Sequence, residues 1–138
     1  MVVTSCLDVS VPATLTRARE IRTQVAEIAA QAGAGEGVID DVRLCVAEAF
    51  TNAVVHGYGT EAGPVHVLVE TARGELTVVV SDEGRGLTDF RREGDIGYGL
   101  KIIERLTRRH LISSAPSAGT EVRMIFGLSA QTPIRNGP

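Results

Sequence analysis

The sequence predicts an α+β fold: a two-layer α/β sandwich with three helices on one face of a mixed, mostly antiparallel sheet. Three observations predict it. Apolar residues recur at helical spacing in three separate stretches. Runs of alternating or β-branched residues stand before, between and after them. The order of the two types is β-α-α-β-β-α-β-β, and strands that follow one another directly imply hairpins rather than parallel crossovers.

Residues 3–10 alternate around Leu7, Val9 and Val11 and read as a strand. Pro12 can open a helix, because the N–H it lacks would be unpaired there. From Ala13 to Ala32, Leu15, Ala18, Ile21, Val25, Ile28 and Ala29 form a helical stripe that Gly33, Gly35 and Gly37 end. A second helix is expected from Val38 to Val55, with Val42, Val46, Ala49 and Ala53 inward. The runs 65–70 and 76–80 flank Ala72-Arg73-Gly74-Glu75 and predict an antiparallel hairpin. His66, Glu70, Thr77 and Ser81 fall on its other face, which suits solvent or a dimer partner. A glycine-rich, charged loop follows from Asp82 to Asp95. A third helix is expected from Tyr98 to Arg108, then short strands over 111–113 and 120–126. Residues 1–128 read as one domain, and 129–138 as a loose tail.

Composition bounds the function. The chain has 138 residues, 43% hydrophobic and 22% charged, as in an ordinary globular domain. A net charge of -3 and 4% aromatics argue against direct nucleic-acid binding. No apolar run approaches the ~18 residues of a membrane span, and the N-terminus does not read as a signal peptide. A cytoplasmic location is expected. Cys6 and Cys45 match neither a zinc pattern nor a disulfide framework.

Four local patterns carry chemistry. Glu48, Asn52 and His56 recur at i, i+4 on the second helix, a polar row beside the apolar stripe. Such a row marks the rim where helix meets sheet, although an ordinary amphipathic helix can show it too. Asp82-Glu83-Gly84-Arg85-Gly86 follows a strand: a carboxylate can accept from an exocyclic amine, and the glycines let backbone approach a flat ligand. Gly94-Asp95-Ile96-Gly97-Tyr98-Gly99-Leu100 opens the third helix and offers N–H groups to an anion. It is neither a Walker loop nor a dinucleotide fingerprint. Gly119-Thr120 enters the last strand and says nothing alone.

Together, in this order, E-x-x-x-N, D-x-G-x-G, G-x-G-L and G-T resemble the boxes of the GHKL nucleotide-binding superfamily, the ATPase domains of gyrase, Hsp90, histidine kinases and MutL. The segment from Glu48 to Tyr58 is similar to the first box of the anti-sigma-factor serine/threonine kinases of sporulation and stress response. The resemblance runs from about residue 5 to about residue 127 and implies the Bergerat ATP-binding fold.

The resemblance implies ATP and Mg²⁺ as cofactors. It gives Asp82 the adenine amine, with Thr120 helping through water, and puts Gly84 and Gly86 along the base. Asn52 would hold Mg²⁺. Gly97, Tyr98, Gly99 and Leu100 would lie at the phosphates. Glu48 would be the general base toward a serine or threonine hydroxyl. A sigma factor and an anti-anti-sigma antagonist are the implied partners, and a homodimer the implied state. The chain departs from these relatives in its lid. Only Leu87 to Ile96 separates the two glycine boxes, and Asp95-Ile96 stands where relatives often carry a basic residue. Arg85, Arg91 and Arg92 are the available substitutes. Three readings stay open: a kinase of an antagonist or of a signalling scaffold, a nucleotide-gated anti-sigma module or adaptor without transfer, and a generic interaction domain.

Overall fold

A computed structural model describes residues 2–57, 63–84, 93–115 and 118–128; side chains are described except at 56, 57, 93–98 and 115. Gly86, Arg85, Arg91, Arg92 and the expected tail, 129–138, lie outside the described residues.

Strand β1 covers Thr4–Pro12, helix α1 Leu15–Gln31 and helix α2 Glu36–Asn52, which continues as a π turn over Ala53–Gly57. Strands β2 (Pro64–Ala72) and β3 (Glu75–Asp82) form the hairpin. Helix α3 spans Glu93–Leu106, followed by β4 (Arg109–Ala115) and β5 (Gly119–Gly127). The sheet order is β1-β2-β3-β5-β4. Every ladder is antiparallel, so the expected mixed sheet is antiparallel throughout the described residues.

The alternation of β2, β3 and β5 aims one set of side chains at the helices: Val65, Val67 and Val69; Leu76, Val78 and Val80; Val122, Met124 and Phe126. These meet Ile21, Val25 and Ala29 of α1, Val42, Val46, Ala49 and Phe50 of α2, and Ile103 of α3 in one cluster. Phe50 is the bulkiest of the fully buried side chains among the described residues. On the opposite face Asp8 of β1 pairs with His66 of β2, so this face is polar at the β1 edge.

Local chemistry explains the boundaries. Pro12 ends β1 instead of opening α1. The helix starts after Thr14, whose hydroxyl accepts from the Arg17 N–H at 3.2 Å, an N-cap that leaves Pro12 free to finish the strand. The hairpin closes on Arg73 and Gly74, both at positive φ (54° and 73°), as a two-residue turn matched to strand twist. Helix α2 begins and ends earlier than its apolar pattern predicts. The turn after Asn52 is π, with one extra residue, so the i, i+4 spacing from Glu48 to Asn52 does not continue regularly to His56. Helix α3 begins at Glu93 rather than Tyr98, so Gly97 and Gly99 sit inside its first turns instead of at its start. Strand β4 is longer than the expected 111–113, because β5 pairs with it from Arg109 to Ala115.

Candidate functional site

The sheet's register sets up the site at one end of the helix-facing side. Val11, Val65, Asp82, Thr120 and Ser114 are successive cross-strand partners and form one row across all five strands. The apolar half of the row sits on the β1 side; the polar half, Asp82–Thr120–Ser114, lies at the ends of β3, β5 and β4. A cleft of about 370 Å³ opens at these strand ends, lined by Asp82, Ser114, Gly119 and Thr120 together with Ser81, Ser113 and Glu121 of the opposite face. That volume is within the range of small-molecule sites.

Asp82 is half-buried. Burial raises its carboxyl above the usual value, while N–H donors from Gly84 and Thr120 pull it back. The Gly84 N–H lies 2.9 Å from Oδ1. A carboxylate can accept several hydrogen bonds, so two backbone donors leave it capacity for a further donor. Gly119 makes this approach possible. Its φ is +82°, and a Cβ there would lie 2.0 Å from the Asp82 carbonyl oxygen, so only glycine fits. Thr120, buried, places its hydroxyl 2.9 Å from that of Ser114, which also donates to the Gly119 carbonyl at 3.3 Å.

The second part of the site is on α2. Glu48 and Asn52 are partly buried, one helical turn apart. Gly99 of α3 packs directly on Glu48: a Cβ at Gly99 would stand 2.7 Å from Glu48 Oε1. Among the described residues, Asn52 Nδ2 is the buried side-chain polar atom without a hydrogen-bond partner. A buried amide left unpaired costs ~1–3 kcal/mol, an expense that a ligand removes when it supplies the partner. Cys45 lies one turn before Glu48. Its thiol is pushed up to about 12 by burial first and then by the charges of Asp41 and Glu48, so it is inert at neutral pH.

Of the sequence-predicted residues, Asp82, Gly84 and Thr120 are thus brought together at the sheet end and Glu48 and Gly99 at the α2–α3 contact, with Asn52 one turn further along α2. The π turn after Asn52 packs on both β3 and β5, which links the two groups. Leu100 is partly buried against the core. Gly97 and Tyr98 are helical, while Gly86 and the His56 and Tyr98 side chains fall outside the described residues. Ser114 and the room made by Gly119 were missed. Their importance appears only through pairing with β3 and β5, which no local pattern signals. Among the described residues no cluster of His, Cys, Asp or Glu suits a metal by itself, so a cation here needs ligand oxygens as well.

An antiparallel sheet under three helices, with a half-buried carboxylate at its end and a carboxylate–amide pair on the facing helix, defines a two-layer α+β sandwich. Comparison with known proteins agrees. The histidine kinase-like ATPase domain matches residues 11–126, and the chain belongs to that family. An anti-sigma F factor of Clostridium botulinum is 33% identical over 115 residues, covering 75% of this chain and 80% of its own. One from Bacillus velezensis is 29% identical over 127 residues, covering 83% and 87%. The crystal structure of the RsbU and RsbW domains of Rv1364c from Mycobacterium tuberculosis superposes with a TM-score of 0.70 at 27% identity, over 88% of this chain and 31% of that longer one. The histidine kinase domain of the blue-light activated histidine kinase of Erythrobacter litoralis, 21% identical with a TM-score of 0.64 over 93% of this chain and 67% of its own, shares the fold.

Proposed function

We propose that this chain is an ATP-dependent serine/threonine protein kinase of the anti-sigma-factor type, acting in the cytoplasm as a homodimer, that binds a sigma factor and phosphorylates its anti-anti-sigma antagonist. The observation that carries the reading is the unpaired, buried Asn52 amide one turn from Glu48. Nδ2 suits a phosphate oxygen as acceptor, and the amide oxygen suits a hard cation. Mg²⁺, held there by Asn52 together with phosphates and water, would neutralise charge on the transferring phosphoryl group.

In this reading Asp82 accepts from the 6-amino group of adenine and Thr120 assists through water. Gly84 and Gly86 let backbone lie close to the base. Glu48 takes the proton of the acceptor hydroxyl while its oxygen bonds to the γ-phosphorus and the bond to ADP breaks. Gly97, Tyr98, Gly99 and Leu100 serve the phosphates. The amides of Gly97 and Gly99 already lie within α3, so donation from them calls for the first turns of that helix to open. Among the described residues no helix is long and apolar enough to cross a membrane, which fits this assignment.

The experiment is transfer of labelled phosphate from ATP to candidate antagonists, comparing wild type with Glu48→Gln. Wild type should transfer, and the variant should bind ATP but lose at least about a hundredfold in transfer. The alternative is a nucleotide-gated anti-sigma module or adaptor without transfer, favoured by the short lid with Asp95-Ile96 where relatives carry a basic residue. Equal nucleotide binding by both proteins with no transfer by either selects it.

A further inference from the structure

We propose that Gly99 is a positioning residue that couples the phosphate end of the site to Glu48: the base reaches its working position only when the first turns of α3 open to bind phosphate. This rests on the nucleotide reading above.

Glu48 leans on the backbone of α3 at Gly99. From the place a Cβ of Gly99 would take, Glu48 Oε1 is 2.7 Å away, its Cβ 3.5 Å and its Cδ 3.6 Å, so the length of the side chain lies along Gly99. Gly99 is buried and Glu48 half-buried in this contact. Whatever moves Gly99 therefore changes the support of the carboxylate.

Helix α3 divides at that residue. Beyond it, Ile103 is fully buried, and Leu100 and Leu106 pack on the core. The end of the helix is fastened by the Arg108 N–H, which donates to the Ile125 carbonyl at 2.8 Å, and by Arg108 and Arg109 on Glu75. Up to the division, the stretch from Glu93 contains Gly94, Gly97 and Gly99. Each glycine weakens a helix about fivefold relative to alanine.

Within the helix the amides of Gly97 and Gly99 donate to the carbonyls of Glu93 and Asp95, four residues back. A phosphate oxygen is the stronger acceptor, because a charged partner roughly doubles the strength of a hydrogen bond. Phosphate can therefore draw these amides out of a stretch that holds its helix weakly, while the part after Gly99 stays fastened. The bend then falls at Gly99, where Glu48 leans. Adenosine has no phosphate to engage these amides and leaves Glu48 at rest.

The test uses the full chain with Mg²⁺, adenosine and the non-hydrolysable β,γ-imido analogue of ATP. Carbon-13 NMR titrations follow the Cα resonances of Gly97, Tyr98 and Gly99, which report helix, and the side-chain carboxyl of Glu48; the same titrations give Kd for both ligands. The analogue should move the three Cα resonances away from helical values and shift the Glu48 carboxyl, and adenosine should do neither. Gly94→Ala combined with Ile96→Leu, two changes toward better helix formers ahead of Gly97, should weaken the analogue about threefold to tenfold and leave the adenosine Kd unchanged. Helical values retained in the analogue complex, an unmoved Glu48 carboxyl, or equal weakening of both ligands in the variant overturns the coupling while leaving the nucleotide site intact. A wild-type chain that binds neither ligand overturns the nucleotide reading with it.

Discussion

At the scale of single residues, the site concentrates its cost at Asp82. Burial lifts this carboxyl above its ordinary value of 3.8, and the Gly84 and Thr120 N–H groups only partly offset the lift. A raised carboxyl means that the folded state holds the proton more tightly than the unfolded chain. The linked stability is fully present below the unfolded value and is lost as pH rises through the folded one. Asp82→Asn removes the buried charge. Its stability relative to wild type should therefore increase as pH rises through that window and then level off, as melting curves across the acid range would register. ATP affinity should fall at least about tenfold in the variant, as for a lost hydrogen bond to a charged group. In wild type, affinity should fall as pH drops through the raised value, because a protonated Asp82 accepts less well. A difference between the proteins that ignores pH would mean that the carboxylate's burial is not what the fold tolerates for function.

At the scale of elements, the decisive contact is α2 against α3. Glycine is a poor helix former, costing about 1 kcal/mol relative to alanine in a helix interior. Gly99 nevertheless sits inside α3 because the carboxylate of Glu48 occupies the space a methyl would take. Gly99→Ala should therefore preserve or slightly raise Tm, since helix propensity improves and the atom displaced is the flexible end of a side chain. It should displace Glu48 and lower phosphotransfer at least about tenfold, in the manner of Glu48→Gln. Transfer kinetics alongside a melting curve check this; wild-type transfer would show that Glu48 tolerates the shift. The π turn after Asn52 belongs to this scale as well. Such turns insert one residue into a helix, often at functional sites, and this one meets β3 and β5, the strands that carry Asp82 and Thr120.

At the scale of the whole molecule, Glu75 ties the hairpin to the α3–β4 junction, far from it in sequence. Arg109 grips it with two nitrogens, at 2.9 and 3.1 Å, and Arg108 adds a third contact at 3.1 Å. The Arg109 hydrogen bond is the main cause that holds the Glu75 carboxyl below its ordinary value of 4.5; burial opposes it, and the Arg108 hydrogen bond and the charges of both arginines add to the lowering. A lowered carboxyl contributes stability that is present above the unfolded value and is lost as pH falls through the folded one. Glu75→Gln should cost about 1 kcal/mol or less at neutral pH, because the arginines are largely exposed. Tm should fall about 2–4 °C, and the difference should vanish in strong acid. A deficit that persists there would point to packing rather than charge.

Periodicity and motif spacing were enough to give the type and order of the α-helices and strands among the described residues, though not the π turn, together with the apolar faces of α1, α2 and the hairpin and the candidate residues Glu48, Asn52 and Asp82. These are local properties: helical and strand periodicities differ, and a motif lies within a few residues of chain. Boundaries were less legible where a cap or a pairing partner decides them, as at Thr14, at the start of α3 and along β4. Tertiary structure alone decided the strand order, the antiparallel character of the whole sheet, the steric need for Gly119 beside Asp82, the Gly99–Glu48 contact and the place of Ser114 next to Thr120. Each of these joins residues distant in sequence, and such contacts follow from how strands register and helices pack, which no short stretch of chain encodes.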